Sequence, residues 1–96
     1  MVTLDMLRRE KKAAILRLAA KHGARGIRVF GSVARGDNRE NSDVDFLVEF
    51  EEGRTLFDLI GFRLDLCELL GVDVDIVTPN SLQYMREPVL AEARPI

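Results

Sequence analysis

The sequence predicts an α+β fold in which helices pack on one face of a small mixed β-sheet. Residues 3–22 and 55–70 carry apolar residues at the spacing of amphipathic helices. Residues 43–50 and 72–77 alternate apolar and acidic residues, as half-buried strands do. Elements with one apolar face must bury that face against each other, which gives a two-layer arrangement. The 96 residues are enough for one small domain, and we predict a single domain over residues 1–96.

The first two helices have recognisable ends. The first is predicted over Thr3–His22, where Thr3 can cap the first turn and Gly23 can end the helix. The second is predicted over Thr55–Leu70 and is stopped by Gly71. Both helices would lay their apolar faces on the sheet.

Three strands are predicted, over Ile27–Phe30, Asp43–Phe50 and Val72–Val77. Because side chains alternate between the two faces of a strand, the last two strands each have an apolar and an acidic face. The apolar faces carry Val44, Phe46, Val48 and Phe50, and then Val72, Val74 and Ile76. The acidic faces carry Asp43, Asp45, Leu47 and Glu49, and then Asp73, Asp75 and Val77. We expect the acidic face to stay open, at least in part, and to carry the function.

Turns and a last helix account for the remaining segments. Residues 31–41 are rich in Gly, Asp, Asn and Arg, which predicts a loop or a short broken turn of helix. A final helix is predicted over Leu82–Ala91, where Pro79 and Ser81 suit the start and Pro88 shortens or kinks the helix. The sheet is therefore expected to have three strands or slightly more.

Composition argues against several classes of protein. The chain has 14 basic and 16 acidic residues spread along its length, which argues against a basic surface for direct nucleic-acid binding. The one cysteine, Cys67, excludes an intrachain disulfide and lies in an apolar helical pattern, where a buried thiol is expected. Charges interrupt the N-terminal segment, and no apolar run approaches the roughly 18 residues of a membrane span. We therefore expect a cytoplasmic protein without a signal peptide.

Two aspartates stand close together at the start of the second strand. Asp43 and Asp45 leave the same face, with Cβ atoms about 6 to 7 Å apart, so their carboxylates repel each other. A divalent cation between them would reverse the sign of that interaction, and Mg²⁺ prefers such oxygen ligands. A third carboxylate, Asp73 or Asp75, could complete the site, and alternation alone does not choose between them. The alternative is that these aspartates are simply solvated.

A Gly-Ser pair precedes the aspartates. Gly31 and Ser32 follow the first strand, and glycine allows the backbone to approach a ligand closely. The segment SVARG could form a helical turn whose N–H groups point at phosphate oxygens, with Ser32 and Arg35 as further donors. An ordinary turn is the alternative for such a pair taken alone.

The combined pattern resembles a known family. Gly31-Ser32, ten further residues and then Asp43-Val44-Asp45 give a G-S-x10-D-x-D pattern, which resembles the signature of the DNA polymerase β nucleotidyltransferase superfamily. The longer stretch VFGSVARGDNRENSDVDFLV is similar to the minimal nucleotidyltransferases, the branch of MntA-type antitoxins. The later segments VDIVTP and MREPVLAEARPI are also similar to that branch. The resemblance covers nearly the whole chain and implies the nucleotidyltransferase fold.

The resemblance also implies roles for individual residues. Gly31 and Ser32 match the triphosphate-binding turn, Asp43 and Asp45 match the two metal ligands, and Asp75 matches the third carboxylate, which ligates metal and acts as the base. Arg35 matches an arginine that is usual in the branch, whose role is less defined, and Asp73 becomes a solvated neighbour. The implied cofactor is Mg²⁺, as two ions, and the implied substrate is ATP.

The implied reaction moves a nucleoside monophosphate, AMP from ATP, to a hydroxyl of a partner protein. Larger relatives hold the acceptor with an added domain, whereas 96 residues leave no room for one. In the resembling systems the partner is a HEPN-domain toxin, which is modified on tyrosine. The alternative is a binding module that neutralises such a toxin by contact, and transfer to a small molecule across an oligomer interface carries little weight. The open face would also suit a homo-oligomer, and no residue specifies the base.

Overall fold

The sheet has four strands and five α-helices pack around it in the computed structural model, which describes residues 1–81 and 86–96. The strands are β1 Ala24–Phe30, β2 Val44–Phe50, β3 Val74–Val77 and β4 Arg94–Pro95. The helices are α1 Leu4–Arg9, α2 Lys12–His22, α3 Gly31–Arg35, α4 Leu56–Leu70 and α5 Arg86–Glu92, with a 3₁₀ turn at Pro79–Ser81.

The strand order across the sheet is β3-β2-β1-β4. Strand β1 runs antiparallel to β2 and β4, whereas β2 runs parallel to β3, so the sheet is mixed as predicted. Strand β1 begins earlier than predicted, at Ala24, because a bulge between Arg25 and Arg28 accommodates Gly26 at φ +62°. Strand β4 was not predicted, since its two residues are too few to show an alternating pattern.

The predicted first helix is two helices, so the prediction of one helix over residues 3–22 was wrong. The N–H groups of Glu10 and Lys11 both donate to the Met6 carbonyl, at 2.9 and 3.1 Å, and this closes α1. Five consecutive charged residues at positions 8–12 leave no apolar side chain to hold that turn against the core. Buried Leu7 and Ile15 then anchor α1 and α2 separately.

Helix α4 has the ends that the sequence predicted. Thr55 and Asp58 form a reciprocal capping box at its start, and Gly71 ends it in the left-handed conformation at φ +72°. Helices α2 and α4 pack against each other, α2 also contacts β1, and α4 contacts β3. The main core between the helices and the sheet contains Ile15, Ala19, Val29, Val33, Val44, Phe46, Val48, Phe62, Leu66 and Val74.

The C-terminal part of the chain differs in detail from the prediction. Strand β3 begins at Val74 rather than Val72. The predicted start of the last helix at Leu82 lies outside the described residues, and α5 as described runs over Arg86–Glu92 with Pro88 in its first turn. Among the described residues, no helix is both long and apolar enough to span a membrane.

The acidic face of β2 is open at its ends and covered in the middle. Asp45 and Glu49 are partly or fully exposed, whereas Leu47 between them is completely buried although it is not part of the main core. Helix α3 contacts β1, β2 and α5, and the 3₁₀ turn contacts β2. The uncovered region at the start of β2 is therefore bordered by α3 and α5.

Candidate active site

The predicted carboxylates lie at the end of the sheet where β2 and β3 begin. Asp43 lies just before β2 and is exposed, and Asp45 is the second residue of that strand and is half-buried. In the parallel pairing, Asp45 lies level with Asp75 on β3. Asp73 precedes β3, and its backbone carbonyl accepts the Val44 N–H at 3.0 Å. The strand register thus brings Asp75 beside Asp45, whereas Asp73 contacts the start of β2 through its backbone carbonyl.

Asp45 is in an environment that disfavours its charged form. Burial raises the pKa of its carboxyl group from 3.8 to about 6, and repulsion from Asp75 and then Asp43 adds to the effect of burial. The positive charge of Arg35 acts in the opposite direction. Asp45 and the two carboxylates that repel it therefore form a region of negative charge that a cation would stabilise.

The Gly-Ser turn lies directly against this carboxylate. Phe30, the last residue of β1, pairs with Asp45, so Gly31 begins α3 beside the Asp45 side chain. Gly31 has φ +74°, and a Cβ atom at this position would collide with the Asp45 carboxylate. Both the backbone conformation and the close approach require glycine here. The Ser32 carbonyl accepts the N–H groups of Gly36 and Asp37, at 2.9 and 3.1 Å, and so closes the short helix.

Arg35 points from the end of α3 towards two carboxylates. Its Nε donates to Asp37 Oδ2 at 3.1 Å, and its NH1 donates to Glu92 Oε1 at 3.0 Å. The same Glu92 oxygen accepts the backbone N–H of Gly31 at 2.5 Å. Asp37 and Glu92 together raise the pKa of Arg35, whose guanidinium remains charged.

Glu92 is the residue at this site that the sequence analysis missed. It lies 61 positions from Gly31 and 57 from Arg35, on a helix whose pattern gives no reason to connect it with the Gly-Ser turn. The pairing of β4 with β1, immediately after Glu92, brings this residue to the site. That pairing has no signal in the sequence.

The donor set fits a hard divalent cation, although the ligands are not gathered around one point. Asp43, Asp45 and Asp75 offer only carboxylate oxygens, which Mg²⁺ prefers. Among the described residues, no group of three acidic, histidine or cysteine side chains is close enough to hold an ion as it stands. Asp43, Asp45 and Asp75, from the neighbouring ends of β2 and β3, are the residues that would hold such a cation.

Comparison with known proteins decides the family. The model of the nucleotidyltransferase domain family matches residues 11–96. The chain belongs to the nucleotidyltransferase family. A candidate protein adenylyltransferase of Methanocaldococcus jannaschii is 42% identical over 85 residues, covering 88% of this chain and 91% of that protein. The protein adenylyltransferase MntA of Thermococcus cleftensis is 42% identical over 83 residues, covering 86% of this chain and 84% of that protein.

Solved structures have the same nucleotidyltransferase fold. One, described as a candidate minimal nucleotidyltransferase, has a TM-score of 0.85 and 54% identity, covering 99% of this chain and 97% of that chain. A toxin–antitoxin structure with AMP-PNP matches with a TM-score of 0.73 over 88% of this chain and 70% of that chain. Its 23% identity makes it evidence for the fold alone. The α+β fold class and the family predicted from the sequence are thus confirmed, and this nucleotidyltransferase is an enzyme by family.

Proposed function

We propose that this nucleotidyltransferase transfers AMP from ATP to a hydroxyl group of a partner protein, with Mg²⁺ as its cofactor. The observation that carries the proposal is the level pairing of Asp45 with Asp75, next to a glycine whose backbone touches the Asp45 carboxylate. Two candidate cation ligands and the backbone proposed to bind phosphate thereby lie next to each other on the sheet. This is the arrangement that metal-assisted phosphoryl chemistry requires.

Each residue has a defined part in the proposed reaction. Asp43, Asp45 and Asp75 would hold two Mg²⁺ ions, which supply charge neutralisation at the α-phosphate and at the leaving pyrophosphate. Asp75 would also accept the proton of the attacking hydroxyl. The Gly31 N–H, the Ser32 hydroxyl and the Arg35 guanidinium would bind the β- and γ-phosphates. Catalysis is then mainly orientation and electrostatic stabilisation.

The proposed acceptor is a toxin of the HEPN class, modified on tyrosine. Relatives at 42% identity that cover most of this chain are named as protein adenylyltransferases, and one of them is MntA. The names of these relatives support a protein acceptor and an adenine nucleotide, and the toxin partner is proposed from the resemblance to the MntA-type antitoxins. In this account the partner supplies the acceptor-binding surface.

Incubation with a cognate HEPN protein tests the proposal. ATP and Mg²⁺ should add AMP to the HEPN protein, detected as a mass increase on one tyrosine-containing peptide, and should reduce its nuclease activity. Reactions with EDTA and with GTP, CTP or UTP serve as controls. If no nucleotide gives a modified partner under these conditions, the proposed transfer is wrong.

Neutralisation of the toxin by contact is the second candidate function. It is favoured by apolar side chains on α4 that remain well exposed, namely Leu56, Phe57, Ile60 and Leu64. The double variant Asp43→Asn/Asp45→Asn distinguishes the two functions. If this variant still neutralises the toxin at equal abundance, contact is sufficient. If neutralisation is lost while the complex still forms, catalysis is necessary.

A further inference from the structure

We propose that Glu92 is a built-in competitor of the nucleotide, whose carboxylate binds the donors that the triphosphate would use and must leave before ATP binds. This inference rests on the proposed function and extends it to a residue outside the motif. Glu92 ends α5, and this helix contacts α3, which carries those donors.

A single oxygen atom of Glu92 makes both contacts. Oε1 accepts the Gly31 N–H at 2.5 Å and the Arg35 NH1 at 3.0 Å. An anionic oxygen held between a backbone N–H and a guanidinium is the environment that a phosphate oxygen takes in proteins. Triphosphate and Glu92 therefore cannot use these two donors at the same time.

The contact of Glu92 with Gly31 and Arg35 is exposed enough for a phosphate group to replace the Glu92 carboxylate. The Glu92 side chain is 31% exposed and that of Arg35 is 51% exposed, so water can replace either partner during exchange. Arg35 would keep its second partner, Asp37, when Glu92 leaves. A buried ion pair would instead leave an unpaired charge when broken.

The backbone around Glu92 is held by other interactions. The Ala93 N–H donates to the Val89 carbonyl at 2.9 Å, and the Ile96 N–H donates to the Ile27 carbonyl at 3.4 Å. Strand β4 then pairs with β1. Release of Glu92 therefore requires rotation of its side chain only, with α5 and β4 remaining in place.

The charges at the site favour this exchange when metal and nucleotide arrive together. Glu92 adds a further negative charge near the carboxylates, and its repulsion acts on Asp45. A triphosphate that arrives with Mg²⁺ replaces Glu92 and brings positive charge to the same carboxylates. Release of Glu92 from its two donors therefore accompanies binding of the nucleotide together with its metal.

Calorimetric titration of ATP with Mg²⁺ into wild type and Glu92→Gln, without a partner protein, tests the inference. Glutamine keeps the shape of the side chain but removes the charge that makes the contact strong. We expect the Kd for ATP to fall about 5- to 20-fold in Glu92→Gln, the factor by which a hydrogen bond to a charged group ordinarily exceeds a neutral one. Glu87→Gln is the matched control, because it removes the same charge from an exposed position on the same helix, and its Kd should equal that of wild type.

The outcomes separate this inference from the proposed function. If wild type binds ATP and Glu92→Gln binds it equally or more weakly, Glu92 does not compete and the inference is overturned, while nucleotide binding stands. An equal gain in Glu87→Gln would also overturn it, since the effect would then be one of general charge. If neither wild type nor Glu92→Gln binds ATP or inorganic triphosphate with Mg²⁺, the proposed function fails and this inference fails with it.

A second variant covers the case in which Glu92→Gln does not fold. Glu92→Asp keeps the charge, but its side chain is one methylene shorter. From the same backbone position its carboxylate oxygen would not reach both donors. We expect its Kd for ATP to lie between those of wild type and the 20-fold limit. A Kd equal to that of wild type would contradict the competition.

Discussion

The folded protein disfavours the charged form of Asp45, although the proposed role of this residue as a metal ligand requires that form. Its pKa in the folded protein is about 6, against 3.8 for the ordinary carboxyl group. Because the folded state binds this proton more tightly than the unfolded state does, the associated stability is fully present below about pH 4 and is lost as the pH rises through 6. At neutral pH the metal-free site therefore costs free energy of folding.

Replacing Asp45 by Asn should remove this cost. We expect the metal-free Asp45→Asn variant to be more stable than wild type at pH 7.5 by about 1–2 kcal/mol, after allowance for partial solvent screening. The difference should shrink as the pH falls from about 6 to 4. Urea unfolding in EDTA across this pH range measures it. A variant that is less stable than wild type at pH 7.5 would show that Asp45 is not under electrostatic strain.

Gly31 and Gly36 form a matched pair at the two ends of α3. Both have positive φ, at +74° and +80°, but a Cβ atom on Gly31 would collide with Asp45 whereas one on Gly36 has nothing within 4 Å. Gly36→Ala should cost only the backbone strain of a left-handed alanine, about 1–2 kcal/mol. Gly31→Ala should cost more in unfolding experiments and should also weaken binding of ATP with Mg²⁺. Equal costs for the two variants would contradict the close approach of Gly31 to Asp45.

Helix α4 is fixed at its start by a side-chain cap and is held to the core by the buried Phe62 and Leu66. The capping box of Thr55 and Asp58 satisfies donors at its start, while Leu56 and Phe57 in the first turn stay exposed. We expect Thr55→Ala to lower the free energy of unfolding by about 1 kcal/mol, and Thr55→Ser, which keeps the hydroxyl, to restore most of it. Nucleotide binding should not change in either variant, since the cap is at the end of α4 remote from Asp73 and Asp75. Equal stability of all three proteins in urea would contradict the cap.

Local signals predicted the elements well, and non-local pairing accounts for what they missed. Thr55, Gly71 and the alternation of residues 44–50 each act within a few residues, so the ends of α4 and the run of β2 were readable. The break between α1 and α2 at Glu10 and Lys11 could not be predicted, because the spacing of apolar residues on both sides fits one continuous helix. Strand β4 forms by pairing with the edge of β1, and no property of Arg94 and Pro95 themselves predicts a strand.

At the scale of the whole molecule, the site is assembled from four parts of the chain. Asp43 and Asp45 are two positions apart in the sequence, but their relation to Asp75 depends on the register of β2 and β3. The alternation of apolar and acidic residues predicted the side of the sheet on which Asp75 lies, but not the residue of β2 beside which it lies. The resemblance to a family selected Asp75 over Asp73, and the register independently brings Asp75 beside Asp45. Glu92 reaches the site only through the complete fold, so neither motif nor pattern indicated it.

The central claim is that Asp75 acts together with Asp43 and Asp45 in AMP transfer. The most direct test compares the rates of AMP transfer to the HEPN partner by the variants Asp75→Asn and Asp73→Asn. Both variants lose one carboxylate, at positions two residues apart at the start of β3, but only Asp75 lies level with Asp45. We expect Asp75→Asn to lower the rate of AMP transfer about 100-fold or more, since it loses a metal ligand and the proposed base. Asp73→Asn should stay within about threefold of wild type, because the Asp73 residue is exposed and its hydrogen bond to Val44 is made by the backbone carbonyl, which the substitution keeps. Wild-type transfer by Asp75→Asn, or equal loss in both variants, would contradict the account.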